Sequence, residues 1–180
     1  ENRPGRDGFI SGEAYDIRIS GGEITVRAQG DGIAANGGFY LEGGTVWIHG
    51  PTGGGNGALD YAGTGQVTGG LLVASGSAAM ALGFDDSSTQ CSILYDFSQE
   101  HQAGDVIALT DNSGVTVVSF TPEKAYASVV ITSPDLVQGE EYTLESGGET
   151  QNLTLTERVT SNHTGMGDFG RRGGRHTPGG

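Results

Sequence analysis

Little in this sequence could cross-link the chain or anchor it. The 180 residues contain one cysteine, Cys91, so no internal disulfide can form. No apolar run approaches the roughly 18 residues that a membrane-spanning helix requires. Basic side chains are equally scarce: between residues 31 and 157, Lys124 stands alone against sixteen Asp and Glu. Over the whole chain nine Lys and Arg face 22 Asp and Glu, a formal charge of −13. A surface of that sign repels duplex nucleic acid and anionic membrane. No segment sustains an apolar period of 3.6, which argues against amphipathic helices. Glycine alone is abundant, at 34 residues, but without a Gly-X-Y period, which excludes collagen. A soluble, acidic, glycine-rich all-β protein is the expectation.

The few bases cluster at the ends. Residues 1–30 carry Arg3, Arg6, Arg18 and Arg27, and residues 158–180 carry Arg158, Arg171, Arg172 and Arg175 against Asp168 alone. The segment 165–180, GMGDFGRRGGRHTPGG, has too little complexity to build a core and reads as a basic tail. The pattern reads as a solvated acidic body with a basic tail; the sharper alternative is that the acidic middle recruits cations or basic segments, such as those of a neighbouring copy. A chain opening at Glu1 rather than Met is expected to be a processed, exported one, at the cell surface or in the matrix.

An internal repeat organises the first half. IRISGGEITV (17–26), FYLEGGTVWI (39–48) and GQVTGGLLVA (65–74) superimpose on Gly21-Gly22, Gly43-Gly44 and Gly69-Gly70, pairs spaced 22 and 26 residues apart. Asp7-Gly8, Asp31-Gly32 and Asn56-Gly57 recur between them. Residues alternate with period two on both sides of the glycines. Ile17, Ile19, Phe39, Leu41 and Val67 share one face, as do Ile24, Val26, Val46, Ile48, Leu72 and Ala74. The other face holds Arg18/Tyr40/Gln66, Thr25/Trp47/Val73 and Arg27/His49/Ser75, mostly polar, and is expected to face solvent. A 22–26-residue unit of short strands predicts one turn of a right-handed parallel β-helix, with coils over residues 1–83. Strand patterns continue at 91–97, 105–110, 115–120, 127–132 and 141–146, with a hairpin turn at Asp111–Gly114. Residues 84–164 are therefore expected to extend or close the solenoid.

The stretches GDGIAANGGFYLEGGTVWIHGPTGGGNGALDYAG, VTGGLLVASGSAAMA and VIALTDNSGVTVVSFTPEKAYASVVITSPDLVQGEEYTLESGG together resemble a family of secreted bacterial β-helix proteins. The resemblance spans roughly residues 7–148. It implies a pectate-lyase-like fold without lyase activity, and calcium-associated binding of acidic plant polysaccharide and cellulose. Where the family carries a second acidic residue in the DGI turn, this chain has Ala34-Ala35.

Candidate sites follow from the outward face and the turns. Sugars stack their apolar faces on aromatic rings and hydrogen-bond at their rims, so Trp47, Tyr40 and His49 are candidate carbohydrate contacts, with Arg18 stacked over Tyr40 for a carboxylated sugar. Calcium takes six to eight oxygens, and Asp7, Asp31, Asn56, Asp60, Asp85 and Asp86 are candidate ligands. Asp-Gly and Asn-Gly are also good turn formers, which accounts for the same pattern without metal. A lyase would need clustered carboxylates and a positioned Arg or Lys base. Lys124 is the one strong base between 31 and 157, so no catalytic residue is assigned. Cys91, in an apolar strand, reads as a small buried hydrophobe, and His49, His101, His163 and His176 lack zinc-like spacing. Asn152 and Asn162 begin N-glycosylation patterns. A competing expectation is structural. Open strand edges at the ends of a β-helix can pair between copies into a filament, with Arg171, Arg172 and Arg175 touching a neighbour's acidic body.

Overall fold

In the computed structural model, residues 14–164 are described, and all regular structure among them is β-strand. The first half contributes β1 (Ile17–Arg27), β2 (Ile33–Ala35), β3 (Phe39–His49), β4 (Leu59–Tyr61), β5 (Gly65–Val67) and β6 (Leu71–Gly76). The second half contributes β7 (Ser92–His101), β8 (Ile107–Asp111), β9 (Thr116–Phe120), β10 (Tyr126–Thr132), β11 (Glu141–Ser146), β12 (Glu149–Thr154) and β13 (Val159–Ser161).

The repeat pairs in register. β3 lies parallel between β1 on one side and β5 and β6 on the other. Ile17 aligns with Phe39, Ile24 with Val46 and Leu72, and Val26 with Ile48 and Ala74, as the Gly-Gly superposition requires. β2 and β4 form a second, two-stranded parallel ladder on the same rungs. The second glycine of each pair sits at positive φ: Gly22 at 83°, Gly44 at 87° and Gly70 at 92°. Stacking adds a further demand, because a Cβ on Gly44 would lie 2.7 Å from the backbone of Gly21 and Gly22. Asp carboxylates tie one rung to the next. Asp16 Oδ1 accepts the Gly38 N–H at 2.8 Å, Asp31 Oδ1 that of Gly57 at 2.9 Å, and Asp85 Oδ2 that of Gly65 at 2.9 Å. The inward residues Phe39, Leu41, Val46, Ile48, Val67 and Leu72 are fully buried in a first core.

Beyond Gly76 the direction changes. β10 runs antiparallel to β6 and closes that edge of the parallel ladder; β7 follows antiparallel to β10, and β13 lies parallel to β7. β12, β11, β8 and β9 form a separate four-stranded antiparallel sheet. Its Asp111–Gly114 turn is built as the sequence predicts, with Asp111 Oδ1 accepting N–H bonds from Ser113 and Val115. Of the strands after residue 84, β7, β10 and β13 thus join the sheet of β1, β3 and β6, and the other four form a sheet of their own. β12 and β13 were missed by the periodicity because neither alternates: ETQNLT and VTS are largely exposed, and β13 is three residues long.

One expectation about the repeat fails. The outward face is not all solvent: Val73 is fully buried, and Trp47 and Leu71 pack beside it against a second core of Ile93, Tyr95, Ile107, Leu109, Phe120 and Ile131. The reason is the second half of the chain, whose buried residues cover that face of β3 and β6.

Candidate functional site

The outward residues of β3 fall into two groups on either side of Gly43-Gly44. On the first arm Arg18, Tyr40 and Gln66 align across β1, β3 and β5. The Arg18 guanidinium lies 3.8 Å over the Tyr40 ring and bonds Glu42 at 3.0 Å, with Asp16 3.6 Å away. Tyr40 also lies over Gly38, where a Cβ would meet its ring at 2.6 Å. Both the arginine and the ring are therefore engaged within the chain.

The second arm carries a cleft of about 270 Å³ lined by Thr25, Arg27, Trp47, His49, Ser119, Phe120 and Thr121. Trp47 leaves the first core as its parity requires, but its ring stacks on Phe120, with centroids 5.5 Å apart and planes 6° from parallel. His49, placed outward by the repeat, is buried: its side chain is 7% exposed and its ring packs 4.7 Å from that of Phe120. Burial holds the His49 pKa below the usual imidazole value; Arg27 and Lys124 push the same way, against the Glu123 carboxylate. At the cleft's rim Arg27 grips Glu123 with two bonds, Nε to Oε2 at 2.5 Å and Nη2 to Oε1 at 2.6 Å. That pairing lowers the Glu123 pKa, first through the hydrogen bond and then through charge, despite some desolvation. The cleft thus joins an aromatic pair, three hydroxyls and a paired guanidinium.

The metal candidates do not converge as a group. Asp31 and Asp60 line one cleft of about 250 Å³, together with Gly57, Leu59, Tyr61 and Met80. Desolvation, and then the Asp31 charge, raise the Asp60 pKa. One Asp31 oxygen is committed to Gly57, and Asp85 is committed to Gly65 and to the Ser87 N–H at 3.1 Å. Asn56 stands outside the lining of that cleft, its carbonyl taken by Ser77, and Asp86 is exposed. Among the described residues no three His, Cys, Asp or Glu side chains come together as a metal-holding group. At Asp31 and Asp85 these bonds to a neighbouring rung are the ones the turn-forming reading expects. Asp7, Arg171, Arg172 and Arg175 lie outside the described residues.

Elsewhere, burial raises the Cys91 thiol pKa, as suits an inert core residue. His101 sits buried 3.6 Å from Glu149 and 3.9 Å from Asp105, while His163 bonds Asp96 at 2.6 Å. Asn162 exchanges two side-chain bonds with the Asp96 backbone, at 2.7 and 2.9 Å, whereas Asn152 is exposed on β12.

Sequence reasoning missed Arg27, Ser119, Phe120, Thr121 and Glu123 as partners of Trp47. The last four lie more than seventy residues downstream, where the repeat has faded. The available clue was on the outward face itself, where Trp47, Leu71 and Val73 are too apolar for solvent. In comparisons with protein families, curated proteins and solved structures, nothing matches the chain.

Proposed function

We propose that the chain is a non-catalytic extracellular β-solenoid protein that binds polysaccharide at the Trp47–Phe120 cleft. The observation that carries this reading is the cleft's chemistry: aromatic rings beside the hydroxyls of Thr25, Ser119 and Thr121 and the Arg27 guanidinium. Rings match the apolar faces of sugars and the polar groups match their rims. The in-register parallel strands β1, β3 and β6, with β2 and β4 on the same rungs, support the right-handed β-helix form of the first half. The resemblance of residues 7–148 to secreted carbohydrate-binding β-helix proteins favours an acidic glycan. Where calcium assists, Asp31 and Asp60 are the side chains that would hold it, and a cation there would offset the burial and the Asp31 charge that raise the Asp60 pKa.

Calorimetric titration with polygalacturonate and with cellulose oligosaccharides, with and without calcium, tests this reading. Wild type should bind at least one of them, and Trp47→Ala should weaken that binding by about tenfold or more. Arg18→Ala, on the other arm, should leave it intact. No binding to either glycan, or equal loss in both variants, would remove the cleft from the argument.

One observation favours a structural role as a second reading. Ile17, Ile24 and Val26 are only partly buried, while their rung partners Phe39, Val46 and Ile48 are fully buried. Among the described residues no strand pairs with the outer edge of β1. A further rung on that edge would complete the core, and a neighbouring copy could supply it, with Arg171, Arg172 and Arg175 reaching the acidic body. Negative-stain microscopy separates the two: filaments support assembly, and isolated particles remove it.

A further inference from the structure

The connection between β9 and β10, residues 121–125, crosses the end of the parallel ladder as a strap. Arg27 holds the Glu123 carboxylate, and Lys124 Nζ donates to the Ala28 carbonyl. Beneath Lys124 lies Gly50, at φ 96°, where a Cβ would sit 2.9 Å from the Lys124 Cδ. The third attachment has different chemistry. The Glu123 backbone N–H donates to His49 Nδ1 at 3.1 Å. That bond requires a lone pair on Nδ1, and so a neutral imidazole with its proton on Nε2. Protonation places a second N–H on Nδ1, facing the Glu123 N–H, and two donors cannot share one bond.

We propose that His49 is an acid-sensitive latch: neutral, it holds the 121–125 strap against the ends of β1 and β3 beside the Trp47–Phe120 cleft, and protonated, it lets the strap go. The charged groups facing His49 are Arg27 from β1 and Glu123 and Lys124 from the strap; its rung neighbour on β6 is Ser75, and β9 presents Phe120, neither of which titrates in this range. Arg27 and Lys124 repel an imidazolium, while Glu123, whose Oε1 lies 3.9 Å from His49 Nε2 with the Arg27 pair in place, attracts it. The lost Nδ1 bond and the two like charges loosen the strap against that attraction. The sign follows from the depressed pKa: the closed strap is favoured above the ordinary imidazole value of about 6.5 and is weakened as pH falls below it. Thr121, at the strap's root beside Phe120, lines the cleft, so release of the strap loosens one of its walls.

Trp47 is the one tryptophan in the chain, so its fluorescence reads the cleft directly. Acrylamide quenching of Trp47 should rise about two-fold between roughly pH 7.5 and pH 5 in the wild type. The protection factor of the Glu123 amide, corrected for intrinsic exchange, should fall about tenfold or more over the same range. In His49→Asn the amide oxygen can stand where Nδ1 stood and does not titrate, so both readouts should stay flat at the closed value. In His49→Phe, which keeps the ring and removes the acceptor, both should stay flat at the open value. A pH-independent wild type, or a transition preserved in His49→Asn, overturns the latch. His101 and His163 remain in every variant and cannot produce the difference. The link from the latch to glycan rests on the function proposed above, but both readouts are made without glycan. Failure of glycan binding and failure of the latch are therefore separate results.

Discussion

Glycine is used differently in the two halves of the molecule. At the corners of β1, β3 and β6 the second glycine of each pair has positive φ, and in Gly44 and Gly70 it also lies against the backbone of the rung before, where a Cβ would come within 2.7 and 2.8 Å. In the antiparallel half, Gly114 and Gly148 have positive φ of 83° and 84°, yet a Cβ on either would meet nothing within 4 Å. Gly114 and Gly148 serve conformation alone. The rung glycines serve conformation and close approach together, because each parallel corner must turn and also stack. This contrast explains why the repeat is conspicuous in one half and absent from the other: stacked corners restrict sequence at fixed spacing, and hairpin turns do not.

The largest test of that contrast compares Gly44→Ala with Gly114→Ala in chemical denaturation. Both place a side chain at positive φ, which costs about 1–2 kcal/mol. Only Gly44→Ala adds a backbone clash, so its total should reach about 4 kcal/mol. Equal losses would mean that stacking imposes nothing beyond the turn. Next in size is Phe120→Ala, which removes the ring joining Trp47 and His49 to the second half and should cost about 3 kcal/mol. A loss near zero would show that the halves are stable independently of that contact. Asp31→Ala removes the carboxylate that accepts the Gly57 N–H and should cost about 1 kcal/mol. Arg27→Ala comes last: the pair with Glu123 is half exposed, so its loss should be the smallest of the four and shrink further in salt.

Much of the first half was legible because stacking leaves a sequence record. The alignment of Ile24, Val46 and Leu72 follows from the Gly-Gly pairs alone, and so does Arg18 lying beside Tyr40. The candidate cleft was legible only in part. Trp47 and His49 could be placed on the outward face, but what covers them comes from Ser119, Phe120, Thr121 and Glu123, brought there by an antiparallel return that no local pattern specifies. Period two tells which residues leave a core; it does not tell whether water or a second sheet receives them. The acidic turns show the same limit. Asp31 and Asp85 read equally as metal ligands or as turn formers, and the choice depends on which N–H groups the next rung presents.

The antiparallel placement of β10 against β6 sets the length of the molecule as well as its edge. Parallel pairing along this edge stops there, while β1, β3, β5 and β6 share one parallel register. A duplicated unit inserted between β1 and β3 would therefore find matching corners above and below it and lengthen the stack by about 4.8 Å. The terminating strands, the strap's root at Phe120 and the second core would meet the last rung unchanged. The design separates how long the protein is from how it ends, and length can change by whole units without renegotiating the cap.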